Sequence, residues 1–493
     1  MKKFLVAIDQ GTTSTRVILF DVNGNIKFKS QFEFKQYFPK NGWVEHDPEE
    51  IWNKTKKVLL NVINKSKRLN GDILTIGITN QRETTILWDK VSGKTVYNAI
   101  VWQDRRTADF CNKYRSYKRD RLINKKTGLI IDPYFSGTKI KWVIENVSIA
   151  KKLLKKKRLL FGTIDTFLLW RFTKGKVHAT DATNASRTML YNISNNKWDI
   201  QILKSLKIPV HILPDIKNSS DNFGMTHKSI TGLSYPITGV VGDQQAATIG
   251  QCCFEKGSVK STYGTGAFVL MNTGYKKIYS KNKLLTTVCY RLNGKSTYAL
   301  EGSIFVAGAG IQWLRDKMKL IKTASETEKI VKSLKTNNDV YFVPAFVGLG
   351  APYWDSKARG ILSGLTRNTG PREIVRAIIE STAYQSNDLL NAMKRDGLKP
   401  KVIKIDGGMA KNNWFSQFLS SILDIKVYQS QTEETTALGA AFMAGLQIGV
   451  FKSLTDISKR WKLSKKSIPK IKSSERLKLL NGWSRAIRKT LTY

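Results

Sequence analysis

Near the N-terminus the apolar positions come in short runs rather than helical stripes. Phe4–Ile8 is one run, Val17–Phe20 is a second, and Ile26–Phe34 alternates apolar with polar residues. A Gly/Thr turn, Asp9–Ser14, separates the first two, and Asn23-Gly24 is a strong two-residue hairpin signal. The pattern predicts a meander of strands. The period then changes. Asp47 reads as a helix cap, Pro48 suits the first helical position, and Glu50 would complete a capping box. Ile51, Thr55, Val58, Leu59, Val62 and Ile63 fall on one face at helical spacing. Ile73–Ile78 reads as a buried strand, and Thr84–Asp89 with Ser92-Gly93 is expected to continue the sheet.

A similar layout returns later. Ser258–Thr262, the turn Gly264-Thr265-Gly266 and Ala267–Met271 again make strand, Gly/Thr turn, strand. A helix is predicted from about Pro371, carrying Val375, Ile378, Ile379, Leu389, Leu390 and Met393, and ended by Gly397. Val402–Ile405 is a strand whose turn, Asp406-Gly407-Gly408, leads into a helix near Asn412–Leu423. Lys426–Gln429 is a short strand and Thr435–Ile448 another helix. Alternating strand and helix signals predict α/β layers. Two halves that open on the same hairpin predict a duplicated domain, divided near Gly250 into residues 1–250 and 251–493.

Composition narrows the partners. A chain of 493 residues exceeds what one core organises, and a 41% hydrophobic share excludes disorder for most of it. Lys+Arg number 82 against 38 Asp+Glu, a formal net charge of +44, which invites a nucleic-acid reading. The basic residues are nevertheless spread along the chain. Their densest clusters, Lys151–Arg158 and the segment from Ser458, lack the interleaved aromatics of a base-stacking platform. A solvated lysine-rich surface with weak, salt-sensitive attraction to polyanions is expected, and no specific nucleic-acid partner. The longest uncharged stretch, Thr435–Phe451, is interrupted by glycines and falls short of the ~20 apolar residues of a membrane span. Phe4–Ile8 is too short for the core of a secretion signal. Cys111, Cys252, Cys253 and Cys289 form no C-x-x-C, and the histidines lie far apart, so a reducing, cytoplasmic setting without structural zinc is expected.

Common nucleotide fingerprints fail. Gly93-Lys94-Thr95 and Gly294-Lys295-Ser296 resemble the end of a P-loop, but Trp88 and Cys289 stand where its first Gly is required. G-x-G-x-x-G, G-x-S-x-G and H-E-x-x-H are absent. What remains is Asp9-Gln10-Gly11-Thr12-Thr13-Ser14-Thr15-Arg16 between two strands. Small residues let the backbone approach an anion, hydroxyls donate to it, Arg16 could meet phosphate, and Asp9 could hold Mg²⁺ directly or through water. Alone, such a turn is more often just a turn. The second, Tyr263-Gly264-Thr265-Gly266, suits one nucleotide pinched between two domains. Gly242-Asp243-Gln244-Gln245 follows the β-type run Pro236–Val241, and by itself Asp243 reads first as a helix N-cap.

Six motifs in order carry a resemblance: D-Q-G-T-T-S-T-R at Asp9–Arg16, N-Q-R-E-T-T at Asn80–Thr85, D-P-Y-F-S-G-T-K at Asp132–Lys139, G-D-Q-Q-A-A at Gly242–Ala247, Y-G-T-G at Tyr263–Gly266 and D-G-G-M-A-K-N-N at Asp406–Asn413. From about residue 4 to about residue 450 the chain resembles the FGGY carbohydrate kinase family, in its glycerol-phosphorylating branch. The resemblance implies an α/β fold of two actin-like (ribonuclease H-like) ATPase domains flanking a deep catalytic cleft. It implies ATP- and Mg²⁺-dependent phosphorylation of glycerol to sn-glycerol 3-phosphate by a homo-oligomer, dimer or tetramer. Asp243 matches the general base, and Asp9 with Asp243 the metal site. Arg82, Glu83, Tyr134, Asp243 and Gln244 match glycerol ligands, with Trp102 and Phe268 as aromatic walls. Thr12, Thr13, Ser14 and Arg16 match phosphate contacts of the first domain, and Thr265, Gly308, Gln312, Gly408 and Asn412 nucleotide contacts of the second.

Each residue also has a plainer reading. Arg82-Glu83 could be an exposed turn, and Trp102 and Phe268 ordinary core. The alternative within the family is a kinase for another small polyol or a sugar; bulky aromatics argue for a pocket too small for a ring. One segment departs from the resemblance. Several bacterial members carry a Gly-rich loop whose Arg receives an inhibitory sugar bisphosphate. Here Thr226–Tyr235 has the single Gly232, and Ser234 stands where the Arg would be. Weak or absent inhibition by a sugar bisphosphate is expected, since Ser cannot supply a charge-assisted bidentate donor.

Overall fold

The structure, a computed structural model, describes residues 1–355 and 357–492. The chain forms two compact units. The first takes Met1–Cys252, Thr286–Tyr298 and Glu434–Arg460; the second takes Cys253–Leu285, Ala299–Glu433 and Trp461–Tyr493. Two later segments, Thr286–Tyr298 and Glu434–Arg460, thus group with the first unit.

The first unit is built on strands β1 (Lys2–Gln10), β2 (Ser14–Asp21), β3 (Ile26–Glu33), β4 (Gly71–Asn80) and β5 (Ile237–Gly242), in the order β5-β4-β1-β2-β3. β1 pairs antiparallel with β2 and parallel with β4, and β4 pairs parallel with β5. The uninterrupted apolar run of β1 fits a strand covered on both faces: Phe4–Ile8 are all buried. One cover is α1 (Pro48–Arg68), whose predicted stripe is buried. Its cap is Asp47, as expected, accepting from the Glu49 N–H at 2.9 Å. Glu50 does not complete a capping box; its carboxylate takes the Lys35 N–H and pairs with Lys54 instead. The other cover is α3 (Thr435–Gln447), packed on β1, β4 and β5 and against α2 (Asp243–Gly250). Its approach is close enough to require glycines. A Cβ on Gly77 would run into the Ala440 carbonyl, and one on Gly439 into the Ala246 carbonyl.

Thr84–Asp89 does not continue this sheet. Ile86–Asp89 pairs antiparallel with Leu159–Gly162 in a separate two-stranded ladder. The cause is local: Glu83 lies at φ 61°, in the left-handed region, and turns the chain off the end of β4.

The second unit repeats the plan on strands β6 (Val259–Tyr263), β7 (Ala267–Gly274), β8 (Lys295–Ile304), β9 (Val402–Asp406), β10 (Lys426–Ser430) and β11 (Leu463–Ser467). Within their sheet these strands run in the order β8-β7-β6-β9-β10-β11; β6 pairs antiparallel with β7 and parallel with β9, and β9 pairs parallel with β10. Each unit has its own apolar core. The bisphosphate-type segment folds as a short turn of helix, Lys228–Thr231, ended by Gly232 at φ 79°. Among the described residues no helix is long and apolar enough to cross a membrane.

Candidate active site

The predicted acceptor residues of the first unit converge at the ends of β4 and β5. Arg82 and Glu83 are no exposed turn; both side chains are 2% exposed. Arg82 Nε lies 3.2 Å from Asp243 Oδ1 and 3.9 Å from Glu83 Oε1, and Nη1 donates to Gln245 Oε1 at 3.1 Å. Gly242 makes this fork possible, because a Cβ there would press on the Arg82 stem at 2.8 Å. Asp243 is not the helix cap. Gly242 is, and Asp243 opens α2 one residue later with its side chain 28% exposed. Its Oδ1 also accepts the Gln244 N–H at 2.7 Å.

The left-handed Glu83 is held from behind. Its carbonyl accepts from Thr85 Oγ1 at 3.1 Å, Ser136 Oγ at 3.0 Å and Lys139 Nζ at 3.4 Å. Lys139 Nζ also donates to the Tyr134 carbonyl at 2.8 Å. Burial lowers this ammonium to about 7, against the opposing pull of Glu83 and Asp104. Tyr134 stands edge-on to Trp102, ring centroids 5.7 Å apart. The Trp102 indole N–H donates to Thr12 Oγ1 at 3.0 Å, so this aromatic wall is tied to the first Gly/Thr turn. Phe268 is on β7 of the second unit and half-buried.

Thr12 and Thr13 lie in the turn between β1 and β2, and Ser14 and Arg16 on β2. Arg16 Nη1 donates to Glu434 Oε2 at 2.8 Å, and its Nε lies 3.5 Å from Asp9 Oδ2. Asp9 is buried, which pushes its carboxyl up to about 6; Arg16 lowers it, and the carboxylates of Glu434 and Asp243 raise it further. The donor set around Asp9 is hard oxygen with excess negative charge. Among the described residues no group of three or more metal-ligating side chains occurs. One or two carboxylates completed by water and phosphate oxygens is the arrangement Mg²⁺ prefers, so Asp9 and Asp243 fit that ion.

The turn carries a further buried device. Gln81 Nε2 donates to Gln10 Oε1 at 3.2 Å and to the Gly11 carbonyl at 3.1 Å, and lies 3.3 Å from His46 Nδ1. Both N–H groups of that amide are committed to the two oxygens, so it is burial that keeps the imidazole neutral. Burial lowers His46 from 6.5 to about 4. The unfolded chain then takes up a proton near pH 6.5 and the folded one only near pH 4. This contribution to stability is fully present above pH 6.5 and is lost as pH falls toward 4, by up to about 3 kcal/mol. Buried aspartates such as Asp165 and Asp388, raised by desolvation, act in the opposite direction. A difference curve isolates the histidine: His46→Asn is expected to remove part of the acid-side decline in Tm between pH 6.5 and 4. Parallel Tm–pH profiles for parent and variant would refute it.

In the second unit a cavity of about 510 Å³ brings together all five predicted nucleotide residues, Thr265, Gly308, Gln312, Gly408 and Asn412. Gly407 crosses Tyr263 at φ 93°, where any Cβ would strike the Tyr263 backbone. Gly408 differs, since a Cβ there meets nothing within 4 Å and would point into open space. Asn412 caps the helix Asn413–Leu423, accepting the Phe415 N–H at 2.9 Å. Ile311, Met409 and Phe415 supply apolar wall, and the size suits a nucleotide-sized ligand.

Sequence reasoning missed Gln245, Glu434, Gln81 with His46, and Arg187. Gln245 and Gln81 lie inside the G-D-Q-Q-A-A and N-Q-R-E-T-T motifs, and Arg187 stands out as the one charged residue between Asp181 and Lys197; Glu434 and His46 carry no such mark.

Known proteins match the chain along its length. Residues 4–250 match the N-terminal domain of the FGGY family of carbohydrate kinases, and residues 259–448 its C-terminal domain. The glycerol kinase of Alteromonas mediterranea is 53% identical over 491 residues, 99% of each chain. That of Petrotoga mobilis is 52% identical over 488 residues, 99% of this chain and 98% of the relative. The crystal structure of Plasmodium falciparum glycerol kinase with ADP superposes with a TM-score of 0.94 at 40% identity, covering 100% of this chain and 99% of that one. On these matches the chain belongs to the FGGY family of carbohydrate kinases and has its two-domain, actin-like ATPase fold.

Proposed function

We propose that the protein transfers the γ-phosphate of ATP to a terminal hydroxyl of glycerol, giving sn-glycerol 3-phosphate and ADP. The observation that carries this reading is the acceptor group of the first unit: a buried Arg–Glu pair beside a partly exposed aspartate and an aromatic wall. Arg82 donates to and Glu83 accepts from vicinal hydroxyls, with Tyr134 and Gln244 completing the polar contacts. Trp102 and Phe268 cover the carbon backbone. Asp243 takes the proton of the attacking hydroxyl, whose oxygen forms the new bond to the γ-phosphorus as the bond to the leaving ADP oxygen breaks.

Thr12, Thr13, Ser14 and Arg16 hold phosphate oxygens. Thr265, Gly308, Gln312, Gly408 and Asn412 hold the nucleotide. Asp9 and Asp243 would hold Mg²⁺, which supplies charge neutralisation on the transferring phosphoryl group. Relatives named glycerol kinase at 52–53% identity over nearly the whole chain support the choice of acceptor. A coupled assay with ATP and a panel of glycerol, longer polyols and sugars tests it. Turnover confined to glycerol is expected; preference for a sugar would overturn the substrate, and no ADP release with any acceptor would overturn the activity.

The nucleotide assignment has its own test. Since a Cβ at Gly408 meets no protein atom, Gly408→Val is expected to fold normally while filling the pocket. The KM for ATP should rise ~10-fold or more with the KM for glycerol and the Tm nearly unchanged. An unchanged KM for ATP would remove Gly408 from the nucleotide site.

A further inference from the structure

One buried charge beside the acceptor group has no part in the scheme above. Arg187 has a side chain 0% exposed, and its Nε donates to Glu83 Oε1 at 2.6 Å. Its guanidinium lies over the Tyr134 ring, 5.6 Å from the centroid, and over Phe135 at 5.3 Å. It therefore touches two of the side chains given to the polyol, one by a charge-assisted hydrogen bond and one by its cationic face. The backbone that delivers it is anchored just upstream. The Asp181 carboxylate accepts from the Thr183 and Asn184 N–H groups and from Ser219 Oγ, at 2.9, 3.0 and 2.8 Å.

The Glu83 carboxylate lies between two arginines. Arg82 Nε is 3.9 Å from the same Oε1 that Arg187 holds at 2.6 Å. Arg82 in turn is 3.2 Å from Asp243. The two arginines thus share one carboxylate oxygen, and the shorter contact is the one to Arg187.

We propose that Arg187 is a positioning residue that fixes the acceptor specificity of the site, by holding the Glu83 carboxylate and the Tyr134 ring in the geometry that meets a polyol and by leaving Arg82 to Asp243. This rests on the reading of Arg82, Glu83 and Tyr134 as polyol ligands. Lysine cannot replace it, because an ammonium has neither the planar face nor the Nε–H.

The test is a double-mutant cycle on the full chain. Arg187→Met is expected to raise the KM for glycerol ~10-fold or more, with kcat lowered less than the KM is raised and the KM for ATP nearly unchanged. In a Glu83→Gln background the same substitution should cost less than about twofold, because the group through which Arg187 acts is already altered. Equal effects in both backgrounds, or a KM for ATP rising in step with that for glycerol, would show a merely structural arginine and overturn the proposal. Should Arg187→Met fail to fold, Arg187→Lys decides, since it keeps the buried charge. A glycerol KM raised about fivefold or more supports the proposal and a parental one overturns it. A parent that phosphorylates another acceptor and not glycerol would overturn the proposed function itself. An active parent with an additive cycle would overturn only the role of Arg187.

Discussion

Asp243→Asn is expected to fold, bind ATP and lose ~10²-fold or more in kcat. The asparagine amide is nearly isosteric, and its carbonyl oxygen can still accept the Gln244 N–H and lie beside Arg82 Nε as Oδ1 does now. The start of α2 and the Arg82 fork should therefore survive. What the amide cannot do is take the hydroxyl proton. Single-turnover transfer at saturating glycerol, with ATP binding followed by calorimetry, separates chemistry from binding. A variant with near-parental kcat would sink the assignment of Asp243 as the base.

The second large effect falls on the acceptor pair, and the structure changes which variants are informative. Alanine at either position removes a polyol contact but also disturbs a buried ion network, where an uncompensated charge costs roughly 3–5 kcal/mol. The two alanine variants should differ. Arg82→Ala leaves Glu83 accepting from Arg187, and Asp243 is partly solvated. Glu83→Ala takes from the fully buried Arg187 the carboxylate to which it donates. Glu83→Ala should accordingly lower the Tm more than Arg82→Ala. Glu83→Gln avoids most of that cost and reports on substrate: the KM for glycerol should rise ~10–100-fold, with the KM for ATP little changed. Equal rises for both substrates would mark the pair as structural, and a larger Tm loss for Arg82→Ala would contradict the network described here.

The sequence made legible what depends on neighbours along the chain. The two strand–turn–strand openings, the α1 stripe with its Asp47 cap and the helix after Asp406-Gly407-Gly408 follow from local period and turn chemistry. Family motifs then named residues that the structure gathers into the second unit's cavity and the first unit's acceptor group. What stayed hidden is set by contacts between residues distant in sequence. Arg16 meets Glu434 across 418 positions, and Glu83 meets Arg187 across 104. No local pattern announces such partners. Glu83 shows the same limit in its backbone. Its left-handed φ is stabilised by Ser136 and Lys139, which a propensity reading of Thr84–Asp89 as continuing strand does not include. Glu50 repeats it at small scale, drawn from its cap by the Lys35 N–H.

The helix α3 has a consequence for how the protein is made. A ribosome releases β1 to β5 early, and Gly77 and Gly239 then carry no side chain to shield the sheet face. The cover for that face, Thr435–Gln447, emerges only after most of the second unit has been synthesised. Until then the nascent chain holds an apolar surface open while another domain begins to fold, an interval in which aggregation competes with closure. A fragment ending near residue 250 would remain in that state permanently. The first unit is thus completed by a segment translated after most of the second, and its folding in the cell has to wait for chain elongation rather than proceed ahead of it.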